Sequence, residues 1–191
     1  MGHPPPRRTA CVSASAGFTL IEMLASVAIL GVLAALAMPQ LETPLATTRL
    51  RAVTGEFVAS LGSARTEASR RGVPVTLCPR AAASNTCNTA ATDWNNGWLV
   101  YADANASGSF DGGDPLLGVR TTLPKGARIG TNQTTPVSVL PSGEHVFGTT
   151  GAAHTLAFAW NTGSRYVVIS RVGRASVLSA DECGPATQCT R

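Results

Sequence analysis

From Phe18 to Met38 the chain is apolar, and its single ionisable side chain is Glu22. About 20 apolar residues suffice for a helix to cross a hydrocarbon core, so residues 18–38 predict a transmembrane helix. After Pro39 the apolar positions narrow to a stripe. Leu50, Val53, Phe57, Leu61, Ala64 and Ala68 recur at steps of three and four, which is one face of a helix. Arg49, Arg51, Glu56, Arg65, Glu67 and Arg70 fill the other faces. The helix is expected to stop near Arg71, with Gly72 as its cap and Pro74 just beyond.

The remainder changes period from helix to strand. Strands are predicted at 73–78, 97–101, 115–123, 127–130, 137–140, 154–160, 165–170 and 174–178. Pro141-Ser142-Gly143 reads as a turn, and Asn161-Thr162-Gly163-Ser164 as a hairpin loop. One N-terminal helix followed by consecutive strands is an α+β pattern. The amphipathic half of a long helix packs on an antiparallel sheet that covers its apolar stripe. The expected organisation is a leader over 1–17, a membrane and assembly helix over 18–38, its amphipathic continuation over 39–72, and a β-rich head over 73–191.

Glu22 sets the first segment apart from an ordinary anchor. A charge within a membrane helix costs about 3 kcal/mol on insertion scales and calls for a partner. Cleavage between Gly17 and Phe18 would place a new α-amino group one helical turn from Glu22. That amine in one subunit and Glu22 in its neighbour would then set the register of stacked helices. The competing reading is a secretory signal peptide, with Arg7 and Arg8 as its basic region and Ala35-Leu36-Ala37 as its cleavage site. Glu22 in the apolar region argues against it, as does the helical pattern that continues past Ala37.

The run Gly17-Phe18-Thr19-Leu20-Ile21-Glu22 resembles the class III signal of type IV pilins and type II secretion pseudopilins. The resemblance implies that a prepilin peptidase cuts after Gly17 and methylates Phe18. It also implies storage in the bacterial inner membrane with the head outside the cytoplasm, and assembly into a filament with other pilins or pseudopilins through the N-terminal helix. Pro39 falls where many such helices kink. Further along, Asn96-Gly97-Trp98-Leu99-Val100-Tyr101-Ala102-Asp103, Pro115-Leu116-Leu117, Pro141-Ser142-Gly143 and Val168-Ile169-Ser170-Arg171-Val172-Gly173-Arg174 resemble the GspH/FimT/FimU-type minor pilins. The function implied is a minor pilin at a filament tip or in its initiation. The alternatives are a DNA receptor for natural transformation and a GspH-like pseudopilin.

Charge and cysteines fit an exported head. The chain has 15 basic and 11 acidic residues, a formal net charge of +4. Loss of Arg7 and Arg8 with the leader leaves 13 and 11, or +2. Cys11 would leave with the leader, so Cys78, Cys87, Cys183 and Cys189 remain in an oxidising compartment. Four cysteines allow three pairings, of which Cys78–Cys87 and Cys183–Cys189 close short polar loops. Zinc held by four thiolates is the competing use, and neither pair has the usual ligand spacing.

Other clusters weigh less. Asp103, Asn105, Ser107, Asp111 and Asp114 alternate as calcium ligands do, although Asp114 stands where a bidentate glutamate is expected. The same residues make an ordinary polar turn. His145 and His154 lack a third partner and are expected as surface-loop residues. Ser142 has no paired base. No cofactor and no enzymatic chemistry is predicted. From Arg120 onward seven basic residues face three acidic ones, and a DNA-binding reading falls on Arg171 and Arg174, supported by Arg165 and Lys125. Some FimT-type relatives carry Gly-Arg-x-Arg near the C-terminus. Gly173-Arg174-Ala175-Ser176 lacks the second arginine.

Overall fold

The computed structural model describes residues 17–88, 94–134, 136–146, 153–160 and 163–182, without the side chains of 36–44. The chain divides into two units, Met1–Glu42 and Thr43–Arg191, here the stem and the head. Among the described residues one helix, α1, is assigned from Leu20 to Arg71, with residues in both units. Its C-terminus is set as the sequence predicts: Gly72 has φ 71° and donates its N–H to the carbonyl of Ala68 at 2.9 Å.

Nine strands are described in the head: β1 Val75–Pro79, β2 Trp98–Ala102, β3 Leu116–Arg120, β4 Ala127–Thr131, β5 Val137–Val139, β6 His145–Val146, β7 His154–Trp160, β8 Gly163–Ile169 and β9 Ala175–Ser179. They form two antiparallel sheets, ordered β3-β2-β1-β5-β6 and β4-β7-β8-β9. The pattern along the chain predicts eight of these strands, all but β6, without dividing them between sheets. Which strands pair is a long-range choice that local alternation does not encode. The expected loop at 161–164 is shorter, because Gly163 and Ser164 already pair with Trp160 and Ala159.

The helical stripe buries as its spacing requires. Leu50, Val53, Phe57, Leu61, Ala64 and Ala68 are all at most 4% exposed. They share one core with Val75, Leu77, Trp98, Val137 and Val139 of the first sheet and Ile129, Leu156, Phe158, Val167 and Ile169 of the second. Phe57 is the hub, with ring centroids 5.6 Å from Trp94, 5.3 Å from Trp98 and 5.6 Å from Phe158, all edge-on. A smaller cluster of Cys78, Leu99 and Tyr101 lies on the other face of the first sheet, packed against Cys87 and Phe110.

Candidate functional site

At the start of α1 the backbone of Gly17–Thr19 is not helical, and Thr19 serves as the cap. Its hydroxyl accepts the N–H of Glu22 at 3.3 Å, and its carbonyl accepts those of Glu22 and Met23 at 3.1 and 3.2 Å. Thr19-x-x-Glu22 is thus the spacing of a capping box, and Glu22 lies in the first turn, where the helix dipole favours a carboxylate. That role needs no cleavage, and its spacing is already present in the sequence. Beyond the cap, Phe18, Leu20, Ile21, Met23, Leu24, Val27, Ile29, Leu30, Val32 and Leu33 are each between 57% and 78% exposed. Among the described residues no helix is long and apolar enough to cross a membrane. The predicted span runs on to Met38, past the last described side chain of the stem, and Pro39 likewise lies beyond it.

In the head, Cys78 and Cys87 form the predicted disulfide, with Cα atoms 5.6 Å apart. The loop between them is closed by Ala81 N–H to Thr86 carbonyl at 2.9 Å and Asn88 N–H to Pro79 carbonyl at 2.8 Å. Cys183 and Cys189 lie outside the described residues.

The acidic loop has the geometry of a polar turn. Asp103 accepts the amides of Ser107 and Gly108 at 2.9 and 2.7 Å, and Asp114 those of Ala104 and Asp111 at 3.0 Å each. Asp111 accepts from the Gly113 amide and the Asn105 side chain, and those bonds hold its carboxyl below the ordinary carboxylate range. Ser107 donates its hydroxyl to the Ser109 carbonyl. The carboxylate oxygens are thus engaged within the loop. Among the described residues no three His, Cys, Asp or Glu side chains gather to hold a metal ion.

The four basic residues considered for DNA do not converge. Arg171 and Arg174 bracket the bend between β8 and β9. Arg165 pairs across from Phe158 and Ser179 near the other end of these strands. At about 3.3 Å per residue, Arg165 lies some 13 Å along β8 from Ile169, where the bend begins. Lys125 precedes Ala127, which pairs with Trp160 at that same far end. The need for Gly173 also differs from the expected one. It has φ 72°, and a Cβ there would overlap the carbonyl oxygen of Gly143. The close approach is thus to the protein's own Pro141-Ser142-Gly143 turn. Arg65 of α1 fastens the bend, donating to the carbonyls of Gly173 at 2.9 Å and Val172 at 3.2 Å.

His145 and His154 are buried, at 3% and 1% exposure, contrary to the expected surface position. Their registers explain it: His145 lies opposite Val139, and His154 opposite Ile169, both core positions. The rings belong to different sheets and their centroids are 5.6 Å apart. Burial pushes both imidazoles below their ordinary pKa, His154 to about 3 with a contribution from His145. His154 shares parity with Leu156, Phe158 and Trp160, a signal already present in the sequence.

A groove of about 590 Å³ opens between α1 and the β2–β3 edge, lined by Glu56, Ser60, Glu67, Val100, Leu116 and Leu117 among others. Its carboxylates are committed, Glu56 to Arg120 and Glu67 to Arg70 and Arg71. The bonds from Arg70 and Arg71 hold the Glu67 carboxyl below its ordinary range. No nucleophile and base are set together there among the described residues.

Comparison with known proteins fits these features. The family model for the type II transport protein GspH matches residues 53–173, and that of the prokaryotic N-terminal methylation motif matches residues 12–38. The structure is similar to the type IV minor pilin FimU of Pseudomonas aeruginosa. In one crystal form the identity is 18%, over 76% of this chain and 96% of that chain, with a TM-score of 0.54. In a second form the values are 17%, 71%, 98% and 0.49. At such identity the likeness is one of fold. No curated protein matches the chain. With the GspH model covering more than half of it, behind a methylation motif and on a fold shared with a type IV minor pilin, the chain belongs to the family of the type II transport protein GspH.

Proposed function

We propose that this chain is a minor pilin that enters a type IV pilus near its tip or during initiation. It is cut between Gly17 and Phe18 by a prepilin peptidase, methylated at Phe18 and held in the inner membrane with its head outside the cytoplasm until assembly. The observation that carries the reading is the run of exposed apolar side chains from Phe18 to Leu33, each more than half accessible. A face of that kind is stable only against lipid or other apolar helices. A free amine at Phe18 would give Glu22 a charge partner in a neighbouring subunit.

The experiment is the intact mass of the membrane-purified protein, followed by fractionation of sheared filaments. The expected chain starts at methylated Phe18; a start at Met38 would mean ordinary signal cleavage. Glu22→Ala should insert at least as well as the wild type, because it removes a charge from the apolar segment. It should be depleted from filaments. Normal incorporation would overturn the role given to Glu22.

The match to a type II transport protein favours a second reading, a pseudopilin of a secretion system. Deletion separates the two: loss of surface pili with normal secretion supports the first, and the reverse supports the second.

A further inference from the structure

The two sheets of the head meet at a pair of histidines for which the assembly function has no use. His145 opens β6, the last strand of the five-stranded sheet, and His154 opens β7 in the four-stranded sheet. The chain therefore crosses from one sheet to the other between them. The imidazole planes are inclined by 42° at 5.6 Å between centroids, and both side chains are almost wholly buried.

Each ring has one nitrogen in a hydrogen bond within the head. Nδ1 of His145 lies 2.8 Å from the Ser138 carbonyl, so it donates there. Nε2 of His154 lies 2.9 Å from the Thr131 hydroxyl, and among the described residues its buried Nδ1 has no hydrogen-bond partner. Among the described residues, the paired and bonded positions opposite the two rings are uncharged side chains. β4 and β5 offer Thr131 and Ser138, and β8 offers Ile169 opposite His154. Among the described residues, the charged groups on the segments bonded to the joint include Glu144, which accepts from the Ser142 hydroxyl, Arg171, and Arg65 of α1, whose guanidinium donates to Gly173 and Val172. Two of these three are cations and oppose a third. A proton on one ring also disfavours a proton on the other at this distance.

The joint is also tied to a surface feature. The His145 N–H donates to the carbonyl of Arg171 at 3.0 Å, so β6 and the 171–174 bend are one bonded unit. β6 contributes only two residues of ladder, Ser138↔Val146 and Val139↔His145, whereas β1 and β2 pair over five. A local opening would start where the ladder is shortest.

We propose that the His145–His154 pair is an acid-sensitive joint between the sheets, whose protonation releases β6 together with the Arg171–Arg174 bend while the longer strands stay paired. Neutral imidazoles are compatible with the closed joint; charged ones are solvated only when it opens. Opening is therefore linked to proton uptake below the ordinary histidine range.

The test is hydrogen exchange on the full-length protein in detergent micelles from pH 7.5 to 4.5, expressed as protection factors to remove intrinsic pH effects. Protection at His145, Val146 and Arg171–Arg174 should fall by about tenfold per pH unit below pH 6 for each proton taken up. Protection in β1 and β2 should remain above that of β6 at every pH. His145→Asn with His154→Gln keeps a donor or acceptor at each bonded position but cannot take the charge, and should abolish the pH dependence. Unchanged wild-type protection across the range would overturn the proposal, as would an equal loss in the double variant. Should that variant not fold, imidazole ¹³C shifts of the wild type decide: rings that stay neutral while the segment opens would also overturn it.

Discussion

Gly173 and Gly143 show how single residues set the top of the head. Both have positive φ, 72° and 87°, and their backbones approach so closely that a Cβ on Gly173 would strike the Gly143 carbonyl. Gly173→Ala thus meets a left-handed backbone and a fixed oxygen together. It should destabilise the head by about 1–3 kcal/mol, read as a lower thermal midpoint with the bend displaced from Arg65. The histidines give a second expectation. Their folded pKa values lie below the unfolded ones, so the stability gained from keeping them neutral is complete above about pH 6.5 and is lost as pH falls below that. For His154 the loss continues towards pH 3. Asp111 and Glu67 are also shifted down, which for a carboxylate means that their hydrogen bonds favour the charged form. They add loss only at lower pH, near and below the ordinary carboxylate range. Thermal melts should therefore begin to weaken between pH 6.5 and 5, and His154→Gln should remove much of that first step. Residue by residue, the sequence revealed the cysteine pair and the apolar stripe. It concealed the burial of His145, because a two-residue strand after a turn has no period to read.

At the scale of elements, the two ends of α1 were legible for different reasons. Gly72 ends it through a backbone conformation, which residue type announces directly. Thr19 begins it through a capping spacing that is as plain in the sequence but was masked by the stronger processing signal around it. Strands β7 and β8 were visible because each runs for seven residues rich in β-branched and aromatic side chains; β6, with two, was not. The partition into two sheets depends on pairings such as β1 with β5, 62 positions apart at Thr76 and Ser138, and no local pattern carries them. The Cys78–Cys87 bridge clips the end of β1 to the loop beyond it, reinforcing the Arg80↔Cys87 bridge. In the chain-entropy model a loop of this length contributes about 2–3 kcal/mol. Cys78→Ser with Cys87→Ser should lower unfolding stability by that amount in chemical denaturation. An undiminished midpoint would mean that the loop's own hydrogen bonds hold it.

Across the whole molecule, the distribution of charge bears on the remaining functional alternative, DNA capture. The sequence count of late basic residues gave the impression of a patch, but count carries no position. Arg120 is committed to Glu56 and lies over Trp98, while Arg165 and Lys125 belong to the end of the strands away from the 171–174 bend. What the fold leaves together is Arg171 and Arg174 on one bend. If duplex DNA is a ligand of this head, the contacts are to phosphate and are indifferent to sequence. Two phosphates neutralised imply a log–log salt slope of about −1.8, from −0.9 for each. Binding by one head is then weak, and useful affinity depends on several heads displayed together. A shift assay on the detergent-solubilised protein at low salt tests this. Retention should be sequence-independent, weaken along that slope as salt rises, and disappear in Arg171→Ala/Arg174→Ala. A slope several times steeper would mean that cations at both ends of the strands engage one duplex. Absence of any shift at low salt would leave the head as a structural cap alone.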